Sequence, residues 1–174
     1  MTEKQKLSKW QKSMQELFAG TTIDTEEPDN VRNERKMQLE ADPEAWFCYY
    51  FPGYSYAVPA DFHKEATKRV LQNPEWYEVR MWSRELAKST RTMMEVLYLT
   101  FVGHTVAAGL QDNDTNETLT KRHKKRYVLL ISNSLDNATR LLMPYKANLK
   151  QNKRLIQDYG KQENSGAWQA AEFT

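Results

Sequence analysis

Cysteine is almost missing from this 174-residue chain: Cys48 stands alone, which excludes a disulfide framework and any zinc site built from several cysteines. Its three histidines, His63, His104 and His123, are too scattered to suggest a histidine-based metal centre. No apolar run approaches the roughly 18 residues that a membrane-crossing helix requires. The opening Met-Thr-Glu-Lys-Gln-Lys has no apolar stretch behind it, unlike a signal peptide. A soluble, reducing, cytoplasmic setting is therefore expected, in which the sequons at Asn113, Asn116 and Asn137 have no role. Charge of one sign is lacking too: 25 Lys and Arg against 23 Asp and Glu leave a net +2, so any basic partner surface must be local.

What is present suffices for a core. Hydrophobic residues make up 40% of the chain, and 9 Tyr, 6 Phe and 5 Trp place it outside the compositions of disordered proteins. Leu7, Trp10, Met14, Leu17 and Phe18 recur at helical spacing between Lys4 and Phe18, giving a short amphipathic helix that Gly20 stops. Residues 21–30 turn polar and acidic, as a linker does, and 31–40 form a second, weakly apolar helix. Residues 1–41 thus read as a helical appendage with linker, and 42–174 as the main domain.

Asp42-Pro43 is a helix-start signal: a side-chain acceptor at the cap and a proline whose missing N–H costs nothing in the first turn. An aromatic helix over 44–51 follows, then a helix over 60–73 stopped by Pro74. Residues 77–82, Tyr-Glu-Val-Arg-Met-Trp, alternate and are rich in strand formers. Residues 91–102 read as a buried helix. A polar loop, 111–118, precedes Tyr127–Ile131, an unbroken apolar run of the kind buried on both faces of a parallel sheet. Ser132, Asn133 or Ser134 can cap the next helix, with Leu135, Ala138, Leu142, Tyr145 and Leu149 in one stripe and Pro144 as a kink. A short helix near Leu155 precedes Gly160, and 168–173 could begin another strand. This order, strand, helix, strand, helix, predicts right-handed parallel α/β crossovers.

Between the first strand and its helix lies Ser83-Arg84-Glu85-Leu86-Ala87-Lys88-Ser89-Thr90. A phosphate-cradling loop needs a strand, a tight turn, backbone N–H groups at a helix N-terminus, a lysine, and then Ser or Thr for magnesium. Lys88-Ser89 meets the last two needs. The glycines do not match: Trp82 stands at the first glycine position and Ala87 directly before the lysine, where left-handed geometry costs an alanine about 1–2 kcal/mol. Arg-Glu-Leu-Ala-Lys also suits an ordinary exposed helix, so the pattern alone leaves both readings open.

The loop resembles the degenerate Walker A of tailed-phage terminase large subunits, Ser-Arg-x-x-Gly-Lys-(Ser/Thr), departing only at Ala87. Tyr49-Tyr50-Phe51-Pro52 and Phe62-His63-Lys64-Glu65 are similar to the family's segments ahead of the first strand. Arg126–Ser132 and residues 152–160 are similar to segments downstream, so the resemblance spans roughly residues 43–174. It implies an α/β fold, a partial P-loop NTPase (RecA/ASCE-like) with a three-layer parallel sheet and an N-terminal helical extension. It further implies an ATPase that powers DNA packaging, with ATP and Mg as cofactors. Lys88 would meet the β- and γ-phosphates, Ser89, or less readily Thr90, would hold magnesium, and Arg84 would act as an arginine finger or γ-phosphate sensor. Backbone N–H groups of Glu85, Leu86, Ala87, Lys88 and Ser89 would cradle phosphate oxygens, and Phe62 or His63 would lie near the adenine. Double-stranded DNA, a portal protein, a small terminase subunit and a ring of copies in a bacterial host would be its partners and setting.

No apolar run ending in Asp-Glu follows Ile131. On this reading the chain is the N-terminal part of the ATPase domain, ends before Walker B, and lacks full catalytic competence. The alternatives are a non-enzymatic, helix-rich module that binds DNA or protein, and part of a helicase-like P-loop ATPase. The run Lys121–Arg126 could touch DNA phosphates, or simply be a solvated loop. The aromatic residues around 46–56 fit a core better than a base-stacking platform, and Met93 and Met94 fit packing. Residues 4–18 could dock a partner or pack on their own domain.

Overall fold

The computed structural model describes residues 12, 18, 21–104, 124–125 and 127–163. Among them the protein is all-helical: α1 (Asp29–Ala41), α2 (Pro43–Tyr50), α3 (Asp61–Gln72), α4 (Lys88–Phe101), α5 (Leu135–Gln151) and α6 (Lys153–Tyr159). The helix expected over 4–18 and the segments 111–118 and 168–173 lie outside the described residues, apart from Lys12 and Phe18, both helical.

Local chemistry sets most helix starts. Asp42 Oδ1 accepts from the N–H groups of Glu44 (2.9 Å) and Ala45 (3.3 Å), and Pro43 follows as the first helical residue of α2. Ser134, one of three candidate caps, accepts from Asn137 N–H at 3.3 Å to open α5. Asn152 caps α6 by accepting from Leu155 N–H, and Gly160, at φ 80°, ends it in a conformation that suits glycine. α5 runs through Pro144, and its buried residues, Tyr145, Ala147, Asn148 and Leu149, all follow the proline.

The α/β expectation fails on two segments. No β-strand occurs among the described residues, so the three-layer parallel sheet of a P-loop NTPase is not formed. Residues 127–131, expected to be buried on both faces, instead expose Tyr127, Leu129 and Ile131. Residues 77–82 turn Tyr77, Val79 and Met81 to solvent and make no ladder. Both stretches have strand-like composition, but a strand is stabilised by cross-strand neighbours, and neither has any among the described residues.

The chain forms two compact units, 1–58 with 129–174, and 59–128. The first has an aromatic core of Trp46, Phe47, Tyr50 and Phe51 from α2 and its end, with Tyr145, Leu149 and Leu155. Trp46 and Tyr50 meet at 4.9 Å between centroids, and Tyr159 sits 5.6 Å from Tyr50. A polar clasp surrounds them. Arg35 of α1 reaches the fully buried Asp158 carboxylate with Nη1 (2.8 Å) and Nη2 (3.0 Å), and Glu27 with Nε and Nη2 (both 2.8 Å). Tyr50 Oη donates to Asp158 at 2.6 Å, Trp46 Nε1 donates to Tyr159 Oη, and Tyr159 Oη donates to Glu40. Trp46, Phe47, Tyr50 and Phe51 are therefore core, as expected, whereas Tyr49 is half-buried and Tyr56 is exposed.

The second unit packs α3 on α4 around Ala66, Leu71, Met93, Met94, Leu97, Tyr98 and Phe101. At its centre Glu95 is almost fully buried. Glu95 Oε1 accepts from Thr67 Oγ1 (2.6 Å), Oε2 pairs with Arg80 Nη1 (2.7 Å), and Arg91 Nε donates to Thr67 Oγ1 (2.8 Å). A carboxylate buried this deeply is tolerable only when paired and hydrogen-bonded.

Candidate functional site

Two adjoining stretches of the second unit, 76–82 and 83–90, gather the chemistry. Arg84, Glu85, Leu86, Ala87, Lys88 and Ser89 are all exposed, and Thr90 is half-buried. Glu85 (φ 67°) and Ala87 (φ 52°, ψ 22°) are the described non-glycine residues with positive φ, and Ala87 is the N-cap of α4. The turn that glycine would take without strain is thus made by alanine and glutamate. Lys88 opens α4 and folds its Nζ back to donate to the Trp82 carbonyl at 3.3 Å. His63 of α3 closes the loop from the side. Its Nδ1 accepts from Ala60 N–H (3.1 Å), so Nε2 carries the proton and donates to the Leu86 carbonyl at 3.0 Å. Phe62 stacks on His63 at 4.1 Å, and Trp82 stands edge-on to both at 5.1 Å. His63 therefore serves as a clasp between α3 and the loop.

The setting that would make these residues a nucleotide motor is missing. Among the described residues the extended stretch before the loop has no ladder partner and no sheet stands behind α4. Nor do three His, Cys, Asp or Glu side chains gather there in a group that could hold a metal. ATP and Mg as cofactors, the catalytic roles of Arg84 and Lys88, and ATPase activity have no support in this fold. The terminase likeness is corrected on the same ground, since that family's ATPase is built on a parallel sheet.

No family model, curated protein or solved structure matches the chain. Among the described residues, no helix is long and apolar enough to cross a membrane.

The neighbouring stretch, Trp76–Trp82, has an unusual two-faced arrangement. From Tyr77 to Trp82 its exposure alternates with period two, the signature of extended backbone, and Trp76 ahead of them is exposed. The side chains of Glu78, Arg80 and Trp82 are tied to α3 and α4. Glu78 accepts from Arg69 Nη2 at 3.1 Å and from Trp76 Nε1, Arg80 meets Glu95 and Thr92, and Trp82 lies under Phe62, His63 and the Arg80 guanidinium. The Arg69 hydrogen bond holds the Glu78 carboxyl below the usual range. Odd-numbered side chains point out: Tyr77, Val79 and Met81 are 85%, 64% and 91% exposed. The backbone N–H and C=O groups of 77–81 have no partner among the described residues. Sequence reading found the alternation in 77–82 but did not say which face turns inward. The available signal was charge: Arg69 and Glu95 on the adjoining helices match Glu78 and Arg80.

Proposed function

We propose that this chain is a non-enzymatic helical module that binds another polypeptide by taking it as a β-strand along Trp76–Trp82. The observation that carries the reading is an extended segment with charged side chains anchored inward, apolar side chains in solvent and an unpaired backbone. An unpaired extended segment of this kind is a template for strand addition, in which main-chain hydrogen bonds supply affinity and alternate side chains supply specificity. The ion pairs to α3 and α4 hold the segment in its extended form beforehand, which lowers the ordering cost of binding.

The test is amide hydrogen exchange of the full chain with and without synthetic seven-residue peptides of alternating β-branched and charged residues. Slowed exchange confined to 76–82, abolished by Val79→Pro, is expected. Unchanged exchange at saturating peptide would overturn the reading.

Contact with double-stranded DNA through 121–126 is a second reading, supported by exposed Lys124. It ranks lower because Lys125 Nζ is occupied by the Pro74 carbonyl (3.0 Å) and its N–H by the Leu99 carbonyl (3.0 Å). Steeply salt-dependent DNA binding would move it ahead. Portal protein and small terminase subunit were implied by the motor fold alone and form no part of this proposal. A cytoplasmic setting does, supported by Cys48, an exposed cysteine that forms no disulfide.

A further inference from the structure

We infer that the strand accepted by Trp76–Trp82 is the same segment of a second copy of this chain, paired antiparallel about Val79; this rests on the strand-addition reading above. The segment Trp-Tyr-Glu-Val-Arg-Met-Trp has the same pattern of apolar and charged positions read from either end, with Glu and Arg exchanged. With Val79 opposite Val79 of the second copy, Trp76 faces Trp82, Tyr77 faces Met81 and Glu78 faces Arg80, each pair occurring twice. Aromatic and opposite-charge pairs are the ones that stabilise antiparallel ladders.

The charges also choose the register. Sliding the second copy by two residues in one direction places Arg80 opposite Arg80, and in the other direction Glu78 opposite Glu78; both juxtapose like charges. A slip of one residue turns the second copy's apolar set to the other face. In the register centred on Val79, Tyr77, Val79 and Met81 of both copies form one continuous apolar surface. The inward ion pairs Arg69–Glu78 and Arg80–Glu95 remain in place. The pairing is isologous, so it closes as a two-fold dimer and cannot propagate into a fibre. A seven-residue strand pair buries less than a standard interface, which places the dimer among weak, concentration-dependent associations.

Two measurements on the full chain test this. Sedimentation velocity from about 10 µM to about 1 mM should show a dimer that grows with concentration and is lost in Val79→Pro, an exposed site where proline blocks pairing without disturbing a core. Disulfide trapping in a Cys48→Ser background reads the register. Val79→Cys faces itself across the pair within disulfide reach, whereas two copies of Tyr77→Cys stand about four residues, or about 13 Å, apart. Val79→Cys should therefore trap at least roughly tenfold faster than Tyr77→Cys, and Tyr77→Cys/Met81→Cys should recover fast trapping. A monomer at every concentration, or equal trapping at 77 and 79, would overturn the inference. If peptides nonetheless slow exchange at 76–82, the strand-addition reading survives and only its partner changes; if they do not, both fall.

Discussion

Ala87 and Glu85 carry the cost of the turn into α4, because each holds a positive φ without being glycine. Left-handed backbone costs a residue with a Cβ about 1–2 kcal/mol, and glycine's extra unfolded-state entropy returns about 0.5–1 kcal/mol of that. Ala87→Gly is therefore expected to stabilise the second unit by about 0.5–1 kcal/mol, seen as a higher urea midpoint with an unchanged slope. An ordinary right-handed helical alanine at this position would give the opposite sign. Glu95 is the contrasting residue. Its buried carboxylate accepts from Thr67 and pairs with Arg80, so Glu95→Ala leaves a nearly buried guanidinium without that partner. A loss of about 3 kcal/mol is expected from breaking such a pair, again by urea unfolding. A loss below about 1 kcal/mol would mean that the network contributes no more than a surface pair does.

At the scale of elements, caps are the most local determinants and the easiest to test. Asp42 satisfies two of the first N–H groups of α2, the helix that carries Trp46, Phe47 and Tyr50 into the core. Asp42→Ala should cost about 1 kcal/mol, measured by thermal or urea unfolding, and Asp42→Ser should recover most of it. The same locality explains what could be read from the chain. The starts at Asp42 and Ser134, the stop before Gly160 and the packing of Met93 and Met94 follow from residues within a few positions of each other. The two apolar runs, 77–82 and 127–131, could not be resolved that way. Composition makes both look like strands, but whether a strand forms depends on a partner elsewhere, and which face turns inward depends on Arg69 and Glu95, distant in sequence from Glu78 and Arg80. The loop at 83–90 was legible as a turn onto a helix N-terminus. Its meaning depended on a sheet that local residues do not specify.

For the whole molecule, four tyrosines couple the first unit to alkali. Burial pushes the phenols of Tyr49, Tyr50, Tyr54 and Tyr159 above their ordinary value of 10.0, and all four lie in the first unit. For Tyr50 the neighbouring Tyr159 and the hydrogen bond to Asp158 add to that effect. A raised pKa in the folded state means that the unfolded chain loses its protons first as pH rises. The stabilising contribution is therefore complete below pH 10 and is lost as pH climbs from there through the folded-state values. Acid acts in the other direction and on both units. Glu27, held low by its hydrogen bond from Arg35, and Glu78, held low by Arg69, each contribute stability above the ordinary carboxyl value of 4.5 that is lost as pH falls through the folded-state values. The Glu27 and Glu78 side chains keep 15% and 16% of their surface in solvent, so the acid effect is partly screened. The expected result of an absorbance titration is a late stage above pH 10 in which Tyr49, Tyr50, Tyr54 and Tyr159 ionise together with loss of amide protection in 21–58 and 129–163. Ionisation of these four at pH 10, with helix content intact, would mean that the aromatic core is open to hydroxide. The clasp from Arg35 through Asp158 to Tyr50 would then not be what closes it.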